Sequence, residues 1–224
     1  VFLKVAAQAA YLGTSFARKT RCEIRCPPKA LIQEEKHMPA TLIIPGYKGS
    51  EAGHWQRQWL HDDPSALLVE QDDWQYPVLS DWMHALEAKL AENPGAVLVA
   101  HSLGCALVAH LASRPSAAHV AGALLVAPAD AETMARKDDR FQSFAPLPRQ
   151  ELGFPSIVVA SRNDEYMSFA KAEALSHVWG SGFVDLGHAG HINVASGFSR
   201  WPEGIILASS LHREPINKAL SQAA

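Results

Sequence analysis

A serine, a carboxylate and a histidine stand in that order along this sequence, each just beyond a short apolar run. The serine is Ser102, in Ala96-Val-Leu-Val-Ala-His-Ser-Leu-Gly-Cys-Ala-Leu, where an apolar run ends at Ala100 and helical periodicity begins at Leu103. A strand that breaks into a helix at a serine has the form of a nucleophile elbow. That turn is sharp enough to demand small residues two positions either side of the serine, because a larger side chain would strike the adjoining strand or helix. Ala100 and Gly104 occupy those positions, one methyl group away from G-x-S-x-G. The hydroxyl would then project from the carboxyl edge of a sheet, and the Leu103 amide at a helix N-terminus would favour a developing oxyanion. An ordinary N-cap serine is the plainer alternative.

A serine hydroxyl is a weak nucleophile without a base and an acid that orients the base. Beyond the apolar run Ser156-Ile-Val-Val-Ala comes Ser161-Arg-Asn-Asp164-Glu165-Tyr166, which puts a carboxylate at a strand's carboxyl end. Asp164 is the expected acid. Glu165, read as the start of the following helix, and Asp130, read as a surface residue behind Pro128, are the alternatives. The base is sought in the glycine-rich bend Phe183-Val-Asp-Leu-Gly-His188-Ala-Gly-His191-Ile-Asn193, where His191 is preferred to His188. His101 is expected to face away from Ser102 and to pack or lend a polar group. A second oxyanion amide belongs in Pro45-Gly46-Tyr47-Lys48-Gly49-Ser50, with Tyr47 as the expected donor and Gly46 supplying the backbone freedom to aim it; a plain turn is the competing reading.

The elements that must position these groups can be read from periodicity. Apolar runs over 41–44, 66–69, 96–100, 122–126, 156–160 and 183–185 predict strands, most of them continuous, as in buried parallel sheets. Helical spacing covers 55–60, 79–91, 103–112 and 169–178, and Asn93-Pro-Gly ends the second of these helices. The alternation predicts the α/β class, a mostly parallel sheet with helices on both faces in three layers. The stretch 129–155, rich in Phe and Pro, is read as either a binding loop or a solvated linker. His54, Trp55 and Trp59 should lie near the oxyanion loop, where they either line a pocket or pack in the core.

Pro45-Gly-Tyr-Lys-Gly-Ser, His54-Trp-Gln-x-x-Trp59, His101-Ser-Leu-Gly, Ser161-Arg-Asn-Asp and Gly190-His-Ile-Asn-x-x-Ser-Gly occur together and in order, and Trp201-Pro-Glu-Gly follows. In these motifs the sequence from Met38 onward resembles the small serine hydrolases related to retinoblastoma-binding protein 9. The resemblance implies a compact α/β-hydrolase without a large cap domain, using Ser102, Asp164 and His191. It does not imply binding of the retinoblastoma protein, since Leu103-Gly-Cys105-Ala-Leu107 has leucine where L-x-C-x-E needs glutamate.

Composition sets the remaining bounds. The 224 residues suit one domain, expected over 38–224, with 1–37 as an N-terminal extension that carries cations and no acid up to Cys22. A formal charge of −3 offers no basic field for phosphates, so nucleic acid is not an expected partner. Cys22, Cys26 and Cys105 are too few for a disulfide scaffold, which makes a reducing, cytoplasmic setting the default. Cys22-x-x-x-Cys26 lacks a second pair at finger-like spacing, so no metal is expected, and no apolar run is long enough to predict a membrane span. The expected function is serine hydrolysis of a small ester or amide through an acyl-enzyme, without a cofactor. Its competitor is a catalytically silent protein-binding module on the same fold.

Overall fold

In the computed structural model, residues 39–211 are described. The extension expected over 1–37, together with Met38, Cys22 and Cys26, lies outside the described residues.

Six strands form one sheet: β1 (Thr41–Ile44), β2 (Ala66–Leu68), β3 (Ala96–His101), β4 (Val120–Val126), β5 (Ser156–Ala160) and β6 (Gly182–Asp185). Every pairing is parallel and the order is β2-β1-β3-β4-β5-β6, so β3 sits near the middle. Parallel neighbours require crossovers, and six α-helices of the described residues stand between or after the strands: α1 (Trp55–Asp62), α2 (Leu79–Glu92), α3 (Leu103–Leu111), α4 (Ala131–Lys137), α5 (Phe169–Val178) and α6 (Pro202–Leu211). The period of two along each strand divides the core into two. Leu42, Ile44, Leu98, Ala100, Leu125 and Val158 pack on one face with α2, α3 and α5. Ile43, Val97, Val99, Leu124, Val126 and Val159 pack on the other with Trp55 and Trp59 of α1 and Ala208 and Leu211 of α6. The result is the expected three-layer α/β fold, with strand ends within one or two residues of the predicted bounds.

Three elements depart from the sequence reading. The stretch 129–155 is no solvated linker: it contains α4 and a 3-10 turn, Asp139–Phe144, and buries Phe141, Phe144, Leu147 and Leu152. Its apolar residues are spaced too irregularly for a helical period, yet each finds the same core. Helix α6, absent from the predicted elements, begins after Trp201, whose ring packs 5.4 Å from that of Trp55. Glu165 does not start a helix, because α5 begins only at Phe169, with the Ser168 side chain accepting from the Lys171 N–H as its cap.

Helix α3 is buried nearly all round, as a helix without a polar face must be. It follows Ser102 directly, so the serine is anchored between the sheet's central strand and a helix that has no room to shift. Among the described residues no helix is long and apolar enough to cross a membrane.

Candidate active site

At the end of β3 the chain reverses through Ser102, which takes φ 56° and ψ −121°, a backbone conformation that costs a non-glycine residue of order 1–3 kcal/mol. Its surroundings hold it there: the Ser102 N–H donates to Val126 O (3.1 Å), and Ser102 O accepts from the N–H groups of Cys105 and Ala129. The small-residue requirement is visible as distances. A Cβ on Gly104 would sit 2.5 Å from Ile44 O, and one on Gly46 would sit 2.8 Å from Ser102 Cβ. The loop after β1 therefore lies directly against the elbow.

Ser102 Oγ is 3.0 Å from His191 Nε2, and His191 Nδ1 is 2.9 Å from each carboxylate oxygen of Asp164. A carboxylate can only accept, so the Nδ1 proton faces Asp164 and Nε2 is left to accept from the serine hydroxyl. The Asp164 and His191 side chains are 3% and 8% exposed, and Asp164 Oδ1 also accepts from the Tyr166 N–H (2.9 Å). Of the competing carboxylates, Glu165 is exposed. Asp130 is committed elsewhere: it caps α4 through the Thr133 N–H and pairs with Lys171 Nζ at 2.6 Å. His188 is exposed, and no hydrogen bond to Ser102 forms there.

The Leu103 N–H opens α3 and has no acceptor within the helix, and no protein acceptor of the Tyr47 N–H stands among the described residues. The Tyr47 side chain turns the other way, with its hydroxyl 2.7 Å from Arg140 Nη1 and its ring edge-on to Phe141. These contacts tie the loop after β1 to the 3-10 turn at 139–144. Together the two segments wall a cleft of about 660 Å³ that contains Ser102 and His191, with Met134 and Tyr166 also facing it. His54 lines this cleft, whereas Trp55 and Trp59 are core. Among the described residues no group of three His, Cys, Asp or Glu side chains is placed to hold a metal ion.

Several residues that sequence reasoning passed over hold the loops in place. Ser161 Oγ accepts from the Ala189 N–H and Asn163 Oδ1 from the Gly190 N–H, stitching the Asp164 loop to the His191 loop. Ser196 Oγ accepts from the His191 N–H, and Asn193 Oδ1 accepts from Ser196 Oγ. Gln56, fully buried, accepts from Ser50 Oγ and donates to Ile44 O and Val99 O. The motifs Ser-Arg-Asn-Asp and His-Ile-Asn-x-x-Ser were the available signal, since polar residues at fixed offsets beside an acid and a histidine serve to brace them.

Burial, then the nearby His191 and Arg57, lowers His54 from 6.5 to about 4. Burial likewise pushes His101 well below the ordinary range. A histidine that must stay neutral when folded costs stability wherever the unfolded chain is protonated. The contribution is intact above pH 6.5 and is lost as pH falls towards 4, amounting for His54 to about 3 kcal/mol at about 1.4 kcal/mol per pH unit. Urea denaturation at pH 7 and pH 4.5 should show this loss, and His54→Asn, which keeps the helix cap, should reduce it. An unchanged pH dependence in that variant would refute the assignment.

The family model described as "Serine hydrolase" matches residues 41–210. YdeN of Bacillus subtilis (strain 168), described as a hydrolase, is 27% identical over 173 residues, covering 72% of this chain and 90% of its own. A YdeN-like hydrolase from Pectobacterium atrosepticum has a crystal structure that superposes with a TM-score of 0.68 at 31% identity, covering 77% of this chain and 90% of that one. The structure of the B. subtilis ydeN product superposes with a TM-score of 0.60 at 21% identity, over 78% and 98% of the two chains.

Proposed function

This chain belongs to the serine hydrolase family, and on that premise we propose that it cleaves small ester or amide substrates by acyl transfer, with Ser102 as nucleophile, His191 as general base and Asp164 as the carboxylate that orients it. The observation that carries this reading is the unbroken hydrogen-bonded run from Ser102 Oγ through His191 to Asp164 at 3.0 and 2.9 Å. Attack of Oγ on the carbonyl carbon passes the hydroxyl proton to His191 Nε2. The negative oxygen so formed faces the N–H groups of Leu103 and Tyr47. When the intermediate collapses, the leaving alcohol or amine takes the proton from Nε2. His191 then withdraws a proton from water, and attack of that water on the acyl-serine releases the acid and restores the serine. Asp164 holds the imidazole in the tautomer that this cycle needs and stabilises the imidazolium within it. The cycle as written draws on no cofactor. Among the motifs that resemble relatives of retinoblastoma-binding protein 9, those at 45–50, 101–104, 161–164 and 190–197 fit the same reading, in that they lie in the segments that carry these groups.

A fluorophosphonate probe tests the proposal, because it phosphonylates only an activated serine. The native chain should be labelled and Ser102→Ala should not. A folded native chain that takes no label would overturn the reading in favour of a silent binding module. With p-nitrophenyl esters of increasing length, the short-chain members should be cleaved fastest, since Tyr47 and the 131–144 segment wall the cleft beside the serine and no large cap domain stands over it among the described residues. Fastest cleavage of long-chain esters would refute that part.

A further inference from the structure

His191 is held by its side chain at Ser102 and Asp164, but a second set of bonds holds the turn on which it stands. His101 Nε2 is 2.9 Å from His191 O, and Trp55 Nε1 donates to Ile192 O at 2.8 Å. Since a carbonyl only accepts, His101 carries its proton on Nε2, and full burial keeps that ring neutral. The turn needs such restraint. Ile192 has φ 49° although it is β-branched and fully buried, a conformation that persists only where the surroundings over-determine it. Trp55 is itself packed against Trp201 and Trp59, and the His101 ring lies between those of His54 and His191, 4.8 Å from each. One residue of this set comes from α1 and one from the end of the nucleophile's strand, so the strand holds the His191 carbonyl while the helix holds that of Ile192.

We propose that His101 and Trp55 are positioning residues: by binding the carbonyls of His191 and Ile192 they set the height and pitch of the imidazole, so that Nε2 meets the Ser102 hydroxyl. The inference rests on the reading of His191 as the base. The Ser102 and Asp164 bonds fix the direction of the ring, but they cannot fix the backbone, and a displacement of about 1 Å between reacting groups costs of order 100-fold in rate. Removing the His101 donor leaves a buried carbonyl unpaired, and the turn gains by moving to find another partner.

The test compares the native chain with His101→Leu, His101→Gln and Trp55→Phe, measuring kcat and KM on p-nitrophenyl acetate, fluorophosphonate labelling rate and thermal midpoint. Glutamine returns an N–H near the place of Nε2, and phenylalanine keeps an aromatic ring while removing the indole donor. His101→Leu should lower kcat and labelling rate by about 10- to 100-fold with KM nearly unchanged, and His101→Gln should recover most of the loss. Trp55→Phe should lose about 10-fold in kcat. A stable His101→Leu chain labelled as fast as the native one, or no recovery in His101→Gln, would overturn the proposal while leaving the base assignment standing. If His101→Leu fails to fold, a native kcat in Trp55→Phe overturns it equally. A native chain that takes no label at all would instead remove the base assignment, and the proposal with it.

Discussion

Ester hydrolysis by Ser102→Ala and by His191→Gln is expected to fall roughly 10⁵- to 10⁶-fold in kcat, about 7–8 kcal/mol of transition-state stabilisation, and the double variant should lose no more than either alone. The non-additivity follows from the 3.0 Å bond between Ser102 Oγ and His191 Nε2. Without the hydroxyl the imidazole has nothing to deprotonate, and without the imidazole the hydroxyl stays a weak nucleophile. Either deletion therefore removes the same step. What survives should be the contribution of the Leu103 and Tyr47 amides and of substrate binding, which in enzymes of this type still exceeds the uncatalysed rate by roughly 10³–10⁴. Steady-state turnover of p-nitrophenyl acetate by the three variants, with circular dichroism to show that each is folded, decides the matter. Losses that multiply in the double variant, or a Ser102→Ala chain that keeps a tenth of native activity, would mean that the two residues do not act as one unit.

Gly104→Ala is expected to destabilise the fold by about 3 kcal/mol, the upper end for overpacking, and to lower kcat/KM as well. The new methyl would meet Ile44 O at 2.5 Å and Pro45 O at 2.7 Å, both backbone atoms. Ile43 and Ile44 cannot retreat, because β1 is paired with β2 on one side and with β3 on the other. If the strand end yields instead, it carries Pro45, Gly46 and Tyr47 with it and moves the amide proposed as the second oxyanion donor. Gly95→Ala is the control. That glycine has φ +82° and open space around it, so alanine there should cost only the left-handed backbone penalty of about 1–2 kcal/mol and leave turnover unchanged. Urea denaturation and ester kinetics on both variants test this; native stability together with native kcat/KM in Gly104→Ala would show that the elbow tolerates a methyl after all.

What was legible in the sequence was what short stretches enforce on themselves. Continuous apolar runs of three to five residues separated by helical periods can satisfy their backbone and bury their side chains in few ways other than a covered parallel sheet, and the three-layer α/β fold followed. The elbow was legible for the same reason: Ala100, Ser102 and Gly104 lie within five residues, and the steric demand that links them is local. The loop fastenings were visible only as motifs without a purpose. Asn163, Ser161, Asn193 and Ser196 stood beside the acid and the histidine in the sequence, but nothing in their spacing said which amide each would bind. The stretch 129–155 was left open between a binding loop and a solvated linker, because its aromatic residues serve a core made by other elements and so need no period of their own.

The sequence by itself thus determined the class of fold, the position of the sharp turn and a short list of acids and bases. Asp164 and His191 were already preferred within that list, and tertiary structure alone brings them to Ser102 and draws their competitors away. Asp164 lies 27 residues from His191 and Ser102 lies 89, and they meet because β3, β4, β5 and β6 are laid side by side with their carboxyl ends at one edge. The same assembly takes Asp130 away to Lys171, leaves His188 in solvent and turns His101 onto the backbone of His191. Contacts across such distances are fixed by strand order and by the packing of helices on the sheet, which are properties of the whole folded chain.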